Sequence, residues 1–179
     1  MEYKIIICGL NGAGKSTLGK ALAEKLGWKF MDIEAYYFPE NNVDYSAAAA
    51  RTKAEVTKLL CEDLQKYENF VLAAVKGNFG ETVMSMFTGA VFISVPKEIR
   101  MERVRNRSYQ KFGNRALPGG DLYEQEESFF DMVSRRSEEE VEDWLKNMEI
   151  PVIRVDGTLT VEKSVEEIVE QMKMYGIEV

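Results

Sequence analysis

Short apolar runs that alternate with helical patterns predict an α/β fold, in which a parallel sheet is covered by helices on both faces. Three observations carry the prediction. Five apolar runs, at residues 3–8, 28–31, 70–75, 90–95 and 152–155, are mostly continuous rather than alternating, as strands buried on both sides require. The segments between them repeat apolar residues at helical spacing. A glycine-rich loop joins the first run to the first helical segment. At 179 residues the chain has the length of one domain, 1–179.

The elements follow in order. After the first strand, Leu18, Leu22 and Leu26 lie four apart on one helix face, and Gly27 supplies its stop. The second strand ends at the acidic pair of Asp32-Ile33-Glu34. The alanine run 47–50 reads as helix rather than linker. Between the fourth and fifth strands, residues 97–148 show helical patterns on either side of the turn Leu117-Pro118-Gly119-Gly120, which predicts a helical insertion able to move. The last helix carries Val165, Ile168, Val169 and Met172 on its apolar face, with Ser164 and Glu167 placed for a capping box.

Composition narrows the function. Lys plus Arg number 23 and Asp plus Glu 30, a net charge of −7, which disfavours nucleic acid and acidic membrane surfaces as partners. With no histidine, a histidine triad, base or metal ligand is excluded. Two cysteines, Cys8 and Cys61, make no disulfide framework. No membrane-length apolar stretch or targeting segment is evident, and a reducing cytoplasm is the expected compartment. A monomer or homodimer is expected.

The chemistry starts at Gly9-Leu10-Asn11-Gly12-Ala13-Gly14-Lys15-Ser16, which satisfies G-x-x-x-x-G-K-[ST] between a strand and a helix. Glycines let successive N–H groups from Asn11 to Ser16 turn inward onto phosphate oxygens, and the helix that follows adds the positive end of its dipole. Lys15 then reaches the β- and γ-phosphates, the Ser16 hydroxyl ligates Mg2+, and Thr17 supports the nucleotide from the next turn. Asp32 and Glu34 project from the carboxyl edge of the sheet, where one suits magnesium and the other an acceptor hydroxyl. Their roles are interchangeable on sequence alone, and Asp32 is also a residue type that caps helices.

Residues 97–115 hold seven basic and two acidic side chains, a local charge of +5 in an acidic chain. Arg100, Arg103, Arg107 and Lys111 share one helical stripe, where like charges repel until an anion relieves them. Arg107 is the expected contact to the transferring phosphoryl group. Arg135 and Arg136, beyond the turn, are candidates to reach the same phosphates from the other side of the insertion. Arg51 and Arg115 are the basic residues assigned to an acceptor, with Tyr36, Tyr37, Phe38 and Tyr45 as possible pocket walls.

These motifs together resemble the small P-loop kinases related to shikimate kinase, gluconate kinase and the nucleoside monophosphate kinases. The matching parts are the loop from Gly9 to Ser16, Asp32-Ile33-Glu34, the arginine helix after Ile93-Ser94-Val95-Pro96, and Val155-Asp156-Gly157-Thr158. The resemblance implies a three-layer P-loop NTPase fold with a five-stranded parallel sheet of order 2-3-1-4-5. It also implies an acceptor-binding region at about 34–66, a helical lid at about 107–120 from which Arg107 meets ATP, and adenine near Asp156 and Gly157. The chain departs from those families at Lys76-Gly77-Asn78, where neither a glycine triplet nor an Asp-Gly signature is present. It also lacks a Walker-B-type Asp after the third strand, so Asp32 is the carboxylate expected near magnesium. The expected function is transfer of the γ-phosphate of Mg-ATP to a small metabolite or nucleotide. The alternative is an ATP-hydrolysing switch or assembly factor for a protein or RNA partner.

Overall fold

The computed structural model describes residues 2–38 and 50–177; Tyr45 and most of the alanine run lie outside them. The strands are β1 Lys4–Cys8, β2 Lys29–Asp32, β3 Phe70–Ala73, β4 Gly89–Ser94 and β5 Val152–Asp156. They form one parallel sheet in the order β2-β3-β1-β4-β5, as the resemblance implies. The helices are α1 Lys15–Leu26, α2 Ile33–Tyr37, α3 Lys53–Leu64, α4 Glu81–Met84, α5 Lys97–Phe112, α6 Tyr123–Arg135, α7 Glu138–Lys146 and α8 Val161–Met174, with a 3-10 turn at Gly113–Ala116.

Strand β1 explains why its run must be continuous. Alternate side chains point to opposite faces. Ile5 and Ile7 pack with Leu18 and Leu22 of α1 and with Ile168 and Met172 of α8, while Ile6 and Cys8 pack with Leu60 of α3 and Leu145 of α7. Each fully buried aliphatic side chain of this kind contributes roughly 1.5–3 kcal/mol. The central strand therefore ends in a fixed place, and so does the loop that leaves it.

Helix α1 stops where expected, with the Gly27 N–H bonding the Ala23 and Glu24 carbonyls. Helix α8 starts one turn earlier than the sequence reading. Thr160, not Ser164, is the N-cap and accepts from the Lys163 N–H, while Ser164 is buried inside the helix. The reason is the turn before it, where the Asp156 carboxylate accepts from the Thr158 N–H and hydroxyl and brings the chain round early.

Helices α5 and α6 form a hairpin with a small core of its own. Val104, Phe130 and Val133 are buried together, with Met101 and Phe129 against them. The Arg105 guanidinium lies 4.4 Å from the Phe130 ring centroid and also pairs with Glu127 at 2.9 Å. Buried Ser108 donates to Glu126, joining the two helices. This cluster is separate from the two that sandwich the sheet. The expected lid segment, about 107–120, falls on the distal half of α5 and the turn beyond it. No helix among the described residues is long and apolar enough to cross a membrane.

Candidate active site

The phosphate loop leaves β1 at Cys8 and enters α1 at Lys15. Its start is pinned to the sheet by the Gly9 N–H, which bonds the Val75 carbonyl at 3.2 Å. Gly12 has φ 81 and lies against α5, so that a Cβ there would run into the Arg100 backbone carbonyl. Both facts demand glycine. Gly157 is equally confined, since its missing Cβ would meet Val95, Ile93 and the Ala13 carbonyl. The Asp156-Gly157 turn is thereby packed onto the loop.

Lys15 folds back and donates to the Leu10 carbonyl at 3.0 Å. Burial pushes its ammonium down to about 8, against the opposing pull of Glu34 and Asp32, while the Arg107 charge lowers it further. The three residues singled out from distant parts of the sequence thus act on one ammonium group. Asp32 also caps α2, accepting from the Glu34 N–H at 3.0 Å. A carboxylate has lone pairs to spare after one such bond, so capping fixes its direction without consuming it. Glu34 is exposed beside it, and Ser16 and Thr17 are exposed on the first turn of α1.

The basic stripe divides once its partners are known. Arg100 is not part of a charged face, because it is 3% exposed, donating from Nε to the Val95 carbonyl and from Nη1 to the Asn11 carbonyl. A buried guanidinium needs such acceptors, and the Val95 carbonyl before α5 and the Asn11 carbonyl of the phosphate loop provide them. Arg103 donates to the Gly12 and Gly157 carbonyls at 3.3 and 3.1 Å, clasping the phosphate loop to the β5 turn. Arg107, exposed one turn farther on, has no hydrogen bond or ion pair among the described residues. Its charge acts on Lys15, whereas the Lys111 ammonium lies over the Phe112 ring.

The remaining candidates are spread more widely. Arg136 donates from Nη1 to the Asn11 side-chain oxygen at 2.6 Å, whereas Arg135 points away and pairs with Asp131 at 2.7 Å. Arg51 donates to the Tyr36 carbonyl at 3.0 Å, and Arg115 grips the Asp121 carboxylate through Nε and Nη2. Tyr36 donates to Asp63 at 2.8 Å, which fixes one wall between α2 and α3. Lys76 reaches Glu140 of α7 at 3.7 Å. Sequence reasoning did not find Glu138, which accepts from the Ser94 hydroxyl and the Val95 N–H and so ties α7 to the end of β4. Nothing in its acidic surroundings distinguishes it from Glu139 or Glu140.

A family model described as AAA domain matches residues 5–143, a span that includes the phosphate loop and the arginine hairpin. The chain belongs to this family. This AAA domain is 31% identical over 180 residues to YqaC of Bacillus subtilis (strain 168), covering 96% of the chain and 98% of that protein. It is 30% identical over 112 residues to a shikimate kinase of Azobacteroides pseudotrichonymphae, 58% of this chain and 66% of the other. The solved gluconokinase of Sinorhizobium meliloti 1021 superposes with a TM-score of 0.61 at 17% identity over 97% of this chain and 93% of its own, a likeness of fold. Together these likenesses point to a P-loop kinase of the shikimate and gluconate kinase group.

Proposed function

We propose that the protein moves the γ-phosphate of Mg-ATP to a hydroxyl of a small metabolite or nucleotide. The observation that carries this reading is the glycine loop fixed between β1 and α1 with Lys15 on its Leu10 carbonyl, and the charges of Glu34, Asp32 and Arg107 all act on that ammonium. Phosphoryl transfer needs little covalent help from a protein; it needs positioning and positive charge where the transferring group passes. The loop amides from Asn11 to Thr17 would hold the phosphates, with Lys15 exchanging the Leu10 carbonyl for phosphate oxygen.

The donor set fits magnesium. Ser16 and Asp32 offer hard oxygen atoms, and among the described residues no three His, Cys, Asp or Glu side chains gather into a metal cage. An ion held by one hydroxyl, one carboxylate, phosphates and water is the usual arrangement for this metal. Bound there, magnesium would neutralise charge on the phosphate oxygens. Glu34 would orient the acceptor hydroxyl and take its proton, and Arg107 would stabilise the charge on the moving phosphoryl group. Arg51 and Arg115, released from the Tyr36 carbonyl and Asp121, would meet the rest of the acceptor, while Asp156 and Gly157 would border the base. Cytoplasmic ATP would be the donor.

Thermal stability in the presence of ATP and magnesium tests the reading, because a ligand bound to the native state raises Tm. A rise seen in the wild type and absent in Lys15→Ala is expected. An equal rise in both proteins would remove Lys15 from the site.

A further inference from the structure

The hairpin of α5 and α6 meets the phosphate loop at both of its roots, and both contacts fall on one residue. At the first root, Arg100 of α5 donates to the Asn11 backbone carbonyl at 3.2 Å. At the second root, Arg136, the residue that ends α6, donates to the Asn11 side-chain oxygen at 2.6 Å. The neighbouring Leu10 carbonyl holds the Lys15 ammonium. Two cations, Lys15 and Arg136, are thus moored on adjacent loop residues.

The chemistry of the mooring is selective. Arg136 has five N–H donors, and its bond to Asn11 uses one of them on a neutral amide oxygen. The paired arginines elsewhere, Arg105, Arg115, Arg135 and Arg154, sit on carboxylates that cancel their charge. An amide fixes a guanidinium in place and leaves its charge intact. Because the Asn11 backbone carbonyl is held independently by Arg100, the side chain is free to serve the second contact without setting the loop's path.

We propose that Asn11 is a positioning residue, whose side-chain amide holds Arg136 over the phosphate loop so that its uncancelled charge receives an anionic oxygen at the transfer site. The inference rests on the phosphotransferase reading. The oxygen comes either from the γ-phosphate or from an anionic acceptor, and the two sources separate experimentally.

The experiment measures dissociation constants for Mg-ADP, for a non-hydrolysable Mg-ATP analogue, and for inorganic phosphate added to the ADP-loaded protein. The proteins are the wild type, Asn11→Ala, Arg136→Ala and the double variant. A γ-phosphate source predicts about tenfold weaker analogue binding in each single variant, with ADP within about twofold of wild type. An acceptor source leaves both nucleotides unchanged and weakens phosphate about tenfold. In either case the double variant is no worse than Arg136→Ala alone, since the two residues act as a unit. Equal Tm values across the set show that the fold is kept. Additive losses in the double variant, or unchanged affinity for every probe in Asn11→Ala, overturn the proposal. A wild type that binds no nucleotide overturns the functional reading instead.

Discussion

The phosphate loop with its Lys15 and the α5–α6 hairpin with its arginines both carry positive charge, yet they are held in different ways. The loop is anchored to the sheet by backbone bonds, by glycine positions that admit no Cβ, and by Arg100 and Arg103 on its carbonyls. Beyond its roots, where Arg100, Arg103 and Arg136 meet the loop, the hairpin is held by a core of its own, Val104, Phe130 and Val133. A cradle that must present N–H groups to phosphate gains from being fixed in advance. A cover that must admit a second substrate gains from having its own core, because it can shift as a unit without opening the sheet.

The sharpest test of this contrast is Arg107→Ala. It should lower kcat on the order of 10³-fold if Arg107 serves as an internal arginine finger, and leave Tm unchanged, since the side chain has no hydrogen bond or ion pair to lose among the described residues. Steady-state kinetics beside a melting curve check both halves. Lys15→Ala comes next: the account expects a loss of about 10²- to 10³-fold in kcat, the magnitude for removing one strong donor to developing charge.

Stability changes should separate the two regions. Leu60→Ala cuts into the sheet core and should cost about 2–5 kcal/mol, lowering Tm by roughly 2–4 °C per kcal/mol for a chain of this size. Phe130→Ala removes the centre of the hairpin core. Its effect should appear as faster amide exchange across residues 97–135, with Tm much less affected than by Leu60→Ala. Equal global losses from both would break the comparison, because the hairpin would then fold and unfold with the sheet.

The smallest expected effect is in pH. Burial holds Lys15 at about 8, below its ordinary value of 10.5. Between those values the unfolded chain binds the proton and the folded one does not, so stability rises with pH through that window and the contribution is lost as pH falls through about 8. Nucleotide needs the charged ammonium, and its affinity should therefore weaken above pH 8. Calorimetric titration in buffers of different ionisation enthalpy would reveal proton uptake on binding there, and Lys15→Met should abolish it.

Much of this was legible in the sequence for physical reasons. Strand β1, the loop and α1 were readable because a double-sided strand, a glycine cradle and a periodic helix each leave a local signature. The strand order came from resemblance, since pairing across the sheet has no local trace. Arg100 was read with the exposed stripe because spacing shows that four side chains share a face, not that the first of them sinks against the Asn11 and Val95 carbonyls. Ser164 offered a better capping pattern than Thr160, and the Asp156–Thr158 turn overrode it. The Asn11–Arg136 bond spans 125 residues, so only folding brings its partners together.

The central claim is transfer of phosphate, and transfer of label from γ-labelled ATP into a panel of small hydroxylated metabolites and nucleotides tests it most directly. The account predicts a labelled small molecule that depends on magnesium and disappears with Lys15→Ala and with Arg107→Ala. Label found only as inorganic phosphate, released with a protein or RNA partner and with no small acceptor modified, would contradict it.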